Sequence, residues 1–233
     1  MIKKIKASKS EKFIFVFLIL LGITTFCTYF IVKNKCLFVK DVDPKNIVCS
    51  NPNKKDLDAK YKIIHKNLSR YSYIYLKKIN LKYIVMCKNL SISELYTAGI
   101  PDNVMKTLIL DIKFNENYFE RVIHHEVFHV MHLQHKKVFN EGDWIKFNNS
   151  NFKYAECSTC TKKISLEQYQ ETNGFFTEYS KSTASEDMAE VYSHMIHLKK
   201  TKINQIRKSD PILNNKILYI ENKIIEIDNS FTF

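Results

Sequence analysis

The sequence predicts an α+β fold, with a small early sheet and a later set of helices, preceded by one N-terminal transmembrane helix. Three observations carry this. The short β-branched and aliphatic runs "KYIVMC" (82–87) and "TLILDI" (107–112) fall in the first half of the chain. Stretches with apolar residues at helical spacing dominate the second half. A long uncharged run, "FIFVFLILLGITTFCTYFIV" (13–32), stands near the N-terminus.

That run comes first in the chain. At about 1.5 Å per residue it reaches about 30 Å, the thickness of a bilayer core. Lys3, Lys4, Lys6, Lys9 and Lys12 precede it, and Asp41 and Asp43 follow soon after. Positive charge stays on the cytoplasmic side, which predicts a basic cytoplasmic tail over 1–12, a signal-anchor over 13–32 and a domain over 33–233 outside. The alternative is a cleaved signal peptide and a secreted domain. Against it, the run is long and aromatic and lacks a small-residue exit.

Along the rest of the chain, "DLDAKYKIIHKNLSRY" (56–71) reads as a helix, and the two strands follow at 82–87 and 107–112. "NENYFERVIHHEVFHVMHLQH" (115–135) reads as a long helix, with Asn115 as cap and Glu116 in the dipole-favoured first turn. Residues 136–184 look mixed and loop-rich. "SEDMAEVYSHMIHLKK" (185–200) is a helix with Ser185 as cap, and 209–228 is another, with Ser209 as cap and Pro211 in its first turn. Strands early and helices late make one α+β domain.

Composition narrows the function classes. The 233 residues carry a formal charge of +12, but the lysines are scattered and no helix gathers them into a stripe, so no specific nucleic-acid partner is expected. Six cysteines are present: Cys27, Cys36, Cys49, Cys87, Cys157 and Cys160. An outside domain favours disulfides, with Cys157 and Cys160 of "CSTC" as one pair. Half of a metal knuckle is the other reading of that motif, and it lacks a second ligand pair.

The chemistry concentrates in "HHEVFHV" (124–130). His125 and His129 are four residues apart, about 40° around a helix and one turn along it, so both rings can turn to one ion. Glu126 lies to the side, where it can act as a base without ligating. Two candidates could supply a third ligand. His135 would fit the metzincin pattern H-E-x-x-H-x-x-G-x-x-H, except that His132 stands where the Gly turns the chain. Glu186 opens a second helix 57 residues after His129, far enough to return beside the first. Glu190, one turn on, faces the same way and could accept the free N–H of a ligating His. Tyr179 precedes Glu186 by seven residues. His124, His132 and His135 are expected to face solvent or to stand behind the ligands.

This stretch resembles the gluzincin metallopeptidases, among them zinc peptidases of bacteria and the catalytic domain of anthrax lethal factor. In those, H-E-x-x-H is followed by a tyrosine, six residues, and a helix opening E-x-x-A-E. Here Tyr179, Glu186 and "EDMAE" to Glu190 match that spacing, and "WIKFNNSNFKY" (144–154) is similar to a run some members carry between the two helices. The resemblance covers roughly 105–200. It implies a zincin-like catalytic domain in which His125, His129 and Glu186 bind Zn2+, Glu126 is the base and Tyr179 steadies an oxyanion. The expected activity is hydrolysis of peptide or protein substrates by a membrane-anchored zinc peptidase. A catalytically silent zinc-containing surface module, and a metzincin-like peptidase using His135, are the alternatives.

Overall fold

The computed structural model describes residues 47–92, 94–102, 106–160 and 165–233. The tail and the span at 13–32, with Cys27 and Cys36, lie outside them. No described helix is long and apolar enough to cross a membrane.

The sheet has the order β1-β2-β5-β4. β1 (Ile47–Ser50) runs antiparallel to β2 (Tyr83–Ile92), and the two-residue β3 (Leu95–Tyr96) pairs with the end of β2. β5 (Thr107–Asp111) lies parallel to β2, with Val85 opposite Ile109, and β4 (Gly99–Asp102) closes the other edge antiparallel to β5. Every residue of β5 is buried, which is why "TLILD" shows no alternation: a central strand covered on both faces needs apolar residues at each position. β2 outruns the predicted 82–87 strand, because Lys88 and Asn89 interrupt the apolar run while the backbone pairing continues.

The helices are α1 (Lys54–Leu68), α2 (Tyr73–Lys78), α3 (Glu116–Gln134), α4 (Glu141–Ile145), α5 (Ala184–His197), α6 (Lys200–Ser209) and α7 (Pro211–Ile227). Asn115 caps α3 as expected, its Oδ1 accepting from Tyr118 N at 3.0 Å. Two caps are corrected. Thr183, not Ser185, caps α5 by accepting from Glu186 N at 3.2 Å. Asp210, not Ser209, caps α7: the chain from 200 to 209 is already helical, and the Asp210 carboxylate sits where Leu213 N can reach it at 2.9 Å. α3 is buried almost all round over Phe119–His132, because it lies between the β4–β5 side of the sheet and α5.

Two disulfides lie within the described residues. Cys157–Cys160 is the expected pair, and Cys49–Cys87 ties β1 to β2 with Cα atoms 5.6 Å apart. The metal-knuckle reading of "CSTC" is thereby set aside.

Candidate metal centre

α3 carries His125 and His129, and the first turn of α5 carries Glu186 against them. His125 Nε2 lies 3.0 Å from Glu186 Oε2, His129 Nε2 3.1 Å from the same oxygen, and the two ring nitrogens 3.1 Å from each other. On the far side of its ring, His125 donates Nδ1–H to Glu190 Oε1 at 2.9 Å. A neutral His125 therefore keeps a bare lone pair on Nε2, facing a carboxylate oxygen and a second ring nitrogen. Three acceptors this close repel unless a cation joins them. An ion at about 2.0–2.1 Å in tetrahedral coordination holds its ligand atoms about 3.3–3.4 Å apart, so the triangle needs to open by only tenths of an ångström. These three side chains form the described group of His, Cys, Asp and Glu that could hold a metal ion.

The electrostatics agree. Burial opposes charge on His125, yet hydrogen bonds to Glu186 and Glu190 outweigh it and push the ring up to about 10 in the metal-free site. Burial opposes ionisation of Glu186 too, but His129 and His125 hold it far below the usual carboxylate range. Behind the ring, Glu190 Oε2 accepts from Arg121 Nη1 at 3.2 Å and from Thr177 Oγ1 at 2.9 Å. Burial again opposes the charge, and Arg121 with His125 keeps this carboxyl at about 2. The free N–H of His125 is thus held by a fully ionised acceptor, as the spacing of Glu186 and Glu190 leads one to expect.

Glu126 is not one of these three groups, but it lines the same cavity as His125. It is buried, its Oε2 has no hydrogen-bond partner among the described residues, and burial raises its pKa against the pull of His125 and His129. β4 passes so close that a Cβ at Gly99 would stand 2.5 Å from Glu126 Cγ and 2.7 Å from Cδ. Tyr179 opens a 3-10 turn before α5 and places its ring 6.1 Å from that of His125. Burial raises its pKa first, then Glu186 and Glu126, so the phenol stays protonated. Gly99, Tyr118, His125, Glu126, Tyr179 and Glu190 line a cavity of about 360 Å³, with Ser158 and Thr159 of the disulfide-closed loop at its wall.

His135 stands apart from this group. It caps the end of α3 with φ −120°, outside the left-handed region, and its Nε2 meets Lys78 O at 3.1 Å. His132, where a glycine would turn the chain back, packs between Phe128 and Phe139 and meets Ser185 Oγ at 3.2 Å. His124 does not face solvent. It is wholly buried, with Nδ1 2.6 Å from Tyr71 OH and Nε2 3.0 Å from Asn67 Oδ1. Sequence reasoning missed Gly99, Arg121 and Thr177. Arg121 lies one helical turn before His125 and was within reach of the same face argument. The approach of β4 to Glu126 has no signal in the sequence beyond the rarity of glycine, four in 233 residues.

Compared with known proteins, the chain matches no curated protein. Among solved structures it is similar to a crystal structure from Bacteroides caccae ATCC 43185, itself described as a "putative zinc-binding metallo-peptidase". The match has a TM-score of 0.58 at 20% identity and covers 97% of this chain and 88% of that one. At that identity the likeness is one of fold. The model of the family described as "Putative zinc-binding metallo-peptidase" matches residues 94–226, more than half of the chain and the whole stretch from β3 almost to the end of α7, and the chain therefore belongs to that family.

Proposed function

We propose that this protein is a zinc-dependent peptidase of the gluzincin type, with His125, His129 and Glu186 holding the metal and Glu126 as the general base. The observation that carries the reading is the division of labour among four side chains. Three bring two ring nitrogens and a carboxylate oxygen within 3.0–3.1 Å of one another, and the fourth, Glu126, is buried nearby with an oxygen that has no partner among the described residues. Bound there, zinc would polarise the substrate carbonyl and make water acidic near neutral pH.

The chain's own groups do the rest. Glu190 accepts Nδ1–H of His125 and so keeps the Nε2 lone pair turned to the centre. Glu126 takes a proton from the attacking water and returns it to the leaving amine, so that one peptide bond and one water become an acid and an amine. Its raised pKa suits a group that must hold the proton between those events. Tyr179, kept protonated, donates to the oxygen on which charge develops. The uncharged run at 13–32, with its preceding lysines, supports a single-pass anchor that holds this domain outside the membrane.

The test is hydrolysis of an unbiased peptide library, suppressed by a chelator and restored by zinc. Glu126→Gln should retain zinc and lose about 10²–10⁴ in rate. Normal turnover by that variant overturns the assigned base. A zinc-loaded wild type without turnover makes the protein a silent zinc-binding module instead.

A further inference from the structure

The residue after Glu186 points the opposite way, into the core, and meets an unusual set of partners. Asp187 Oδ2 accepts from Lys216 Nζ at 2.6 Å, from Tyr154 OH at 2.6 Å and from Trp144 Nε1 at 2.9 Å. These donors come from three separate places: α7, the loop after α4, and α4 itself. Asp187, Lys216 and Trp144 are fully buried. Tyr154 is held in turn by Asn148 Nδ2 at 2.8 Å. Lys216 also donates to Gly174 O at 2.8 Å, and its ammonium lies 3.9 Å from the centre of the Phe175 ring.

We propose that Asp187, held by Lys216, Trp144 and Tyr154, is a positioning residue that sets the rotation of α5 and so delivers the Glu186 carboxylate to the two histidines. The inference rests on the reading of Glu186 as a metal ligand. A buried ion pair gains little or nothing over well-packed apolar side chains of the same size, so stability is a poor reason for this one. Its geometry gives a better reason. All three donors crowd one oxygen, while Oδ1 has no described partner, which satisfies the carboxylate poorly but fixes its direction from three sides. The Thr183 cap holds where α5 starts but not how the helix is turned about its axis. A turn of about 10° moves a carboxylate about 6 Å from the axis by about 1 Å. Metal sites tolerate about 0.2 Å. Glu186 and Asp187 are neighbours on the first turn, so a grip on one is a grip on the other. The same contacts give "WIKFNNSNFKY" a physical role: its Trp144, Asn148 and Tyr154 are all members of the anchor.

The experiment measures zinc affinity of the full-length chain by chelator competition, well below the unfolding temperature, with thermal stability read in parallel. Asp187→Leu/Lys216→Met removes the anchor and both charges. It should weaken zinc binding about 10–100-fold while remaining folded. Asp187→Asn/Lys216→Met keeps an oxygen for Trp144 and Tyr154 and should restore most of the affinity. Should the leucine variant fail to fold, Trp144→Phe/Tyr154→Phe keeps an aromatic ring at both positions, removes two donors and should weaken zinc binding about tenfold. A folded variant of either kind with wild-type zinc affinity overturns the proposal, since a purely structural role would move only stability. Glu186→Ala is the benchmark: wild-type zinc affinity there sinks the ligand assignment itself, and this inference with it. None of these readings depends on peptide turnover.

Discussion

Gly99→Ala adds one methyl group where β4 passes Glu126. The backbone of Gly99 lies outside the left-handed region, so alanine can adopt it and the only penalty is steric. The new Cβ would meet Glu126 Cγ at 2.5 Å and Cδ and Oε1 at 2.7 Å. Ordinary carbon contacts begin near about 3.5 Å, so about 1 Å must be recovered. β4 is paired to β5 from Gly99 through Asp102, and a paired strand gives less easily than a side chain. Glu126 therefore moves. A general base displaced by about 1 Å costs on the order of 10² in rate, and crowding of this kind costs about 1–3 kcal/mol of stability. Zinc content should not change, because Glu126 is not among the proposed ligands. The assays are kcat/KM on a peptide that the wild type cleaves, metal stoichiometry and a thermal melt. A folded Gly99→Ala protein that cleaves at the wild-type rate would refute the placement of Glu126 as base. Loss of zinc in a folded variant would refute the division between base and ligands.

Glu186→Ala should abolish stoichiometric zinc binding, whereas His135→Ala should leave it intact; the opposite pattern would restore the metzincin-like alternative. The two disulfides should differ in worth. Cys49–Cys87 spans 38 residues and Cys157–Cys160 only three, so chain entropy assigns about 4 and about 2 kcal/mol. Chemical denaturation of the paired serine variants reads this, and equal losses would contradict it. Acid should unfold the metal-free protein early. Burial above all lowers His124 and His194 to about 3, and His194 is locked neutral because Nε2 accepts from Arg121 while Nδ1 donates to Glu190 O. Both values are depressed below the unfolded 6.5, so their contribution is complete above pH 6.5 and is lost as pH falls toward about 3. The slope is about 1.4 kcal/mol per pH unit for each histidine. Denaturation midpoints that stay flat between pH 6.5 and 4.5 would show that these rings are protonated in the fold.

The long helix over 115–135 was legible because its signals are local: a cap at Asn115, an acidic first turn, and apolar residues at a constant turn angle. The same local geometry puts His125 and His129 on one face whatever surrounds them. The spacing from Tyr179 through Glu186 to Glu190 was legible as a pattern, but only as a pattern. The caps at Thr183 and Asp210 were misread because serines one or two residues away offer the same chemistry, and the choice between them depends on where each helix is packed. The α2 and β4 elements were missed because six and four residues hold too little periodicity to register.

By itself, then, the sequence determined what depends on neighbours along the chain: the two imidazoles on one helix face, the adjacent carboxylate, and the early strands and later helices. Tertiary structure decided where the two candidates stand: α5 returns beside α3 and brings Glu186 within 3.0–3.1 Å of both rings, whereas His135 meets Lys78 O. It also decided the contact between Gly99 and Glu126, the pairing of Cys49 with Cys87, and the meeting of Lys216, Trp144 and Tyr154 on Asp187. Each of these joins residues far apart in sequence, and such distances are set by the packing of whole elements, which no local signal encodes.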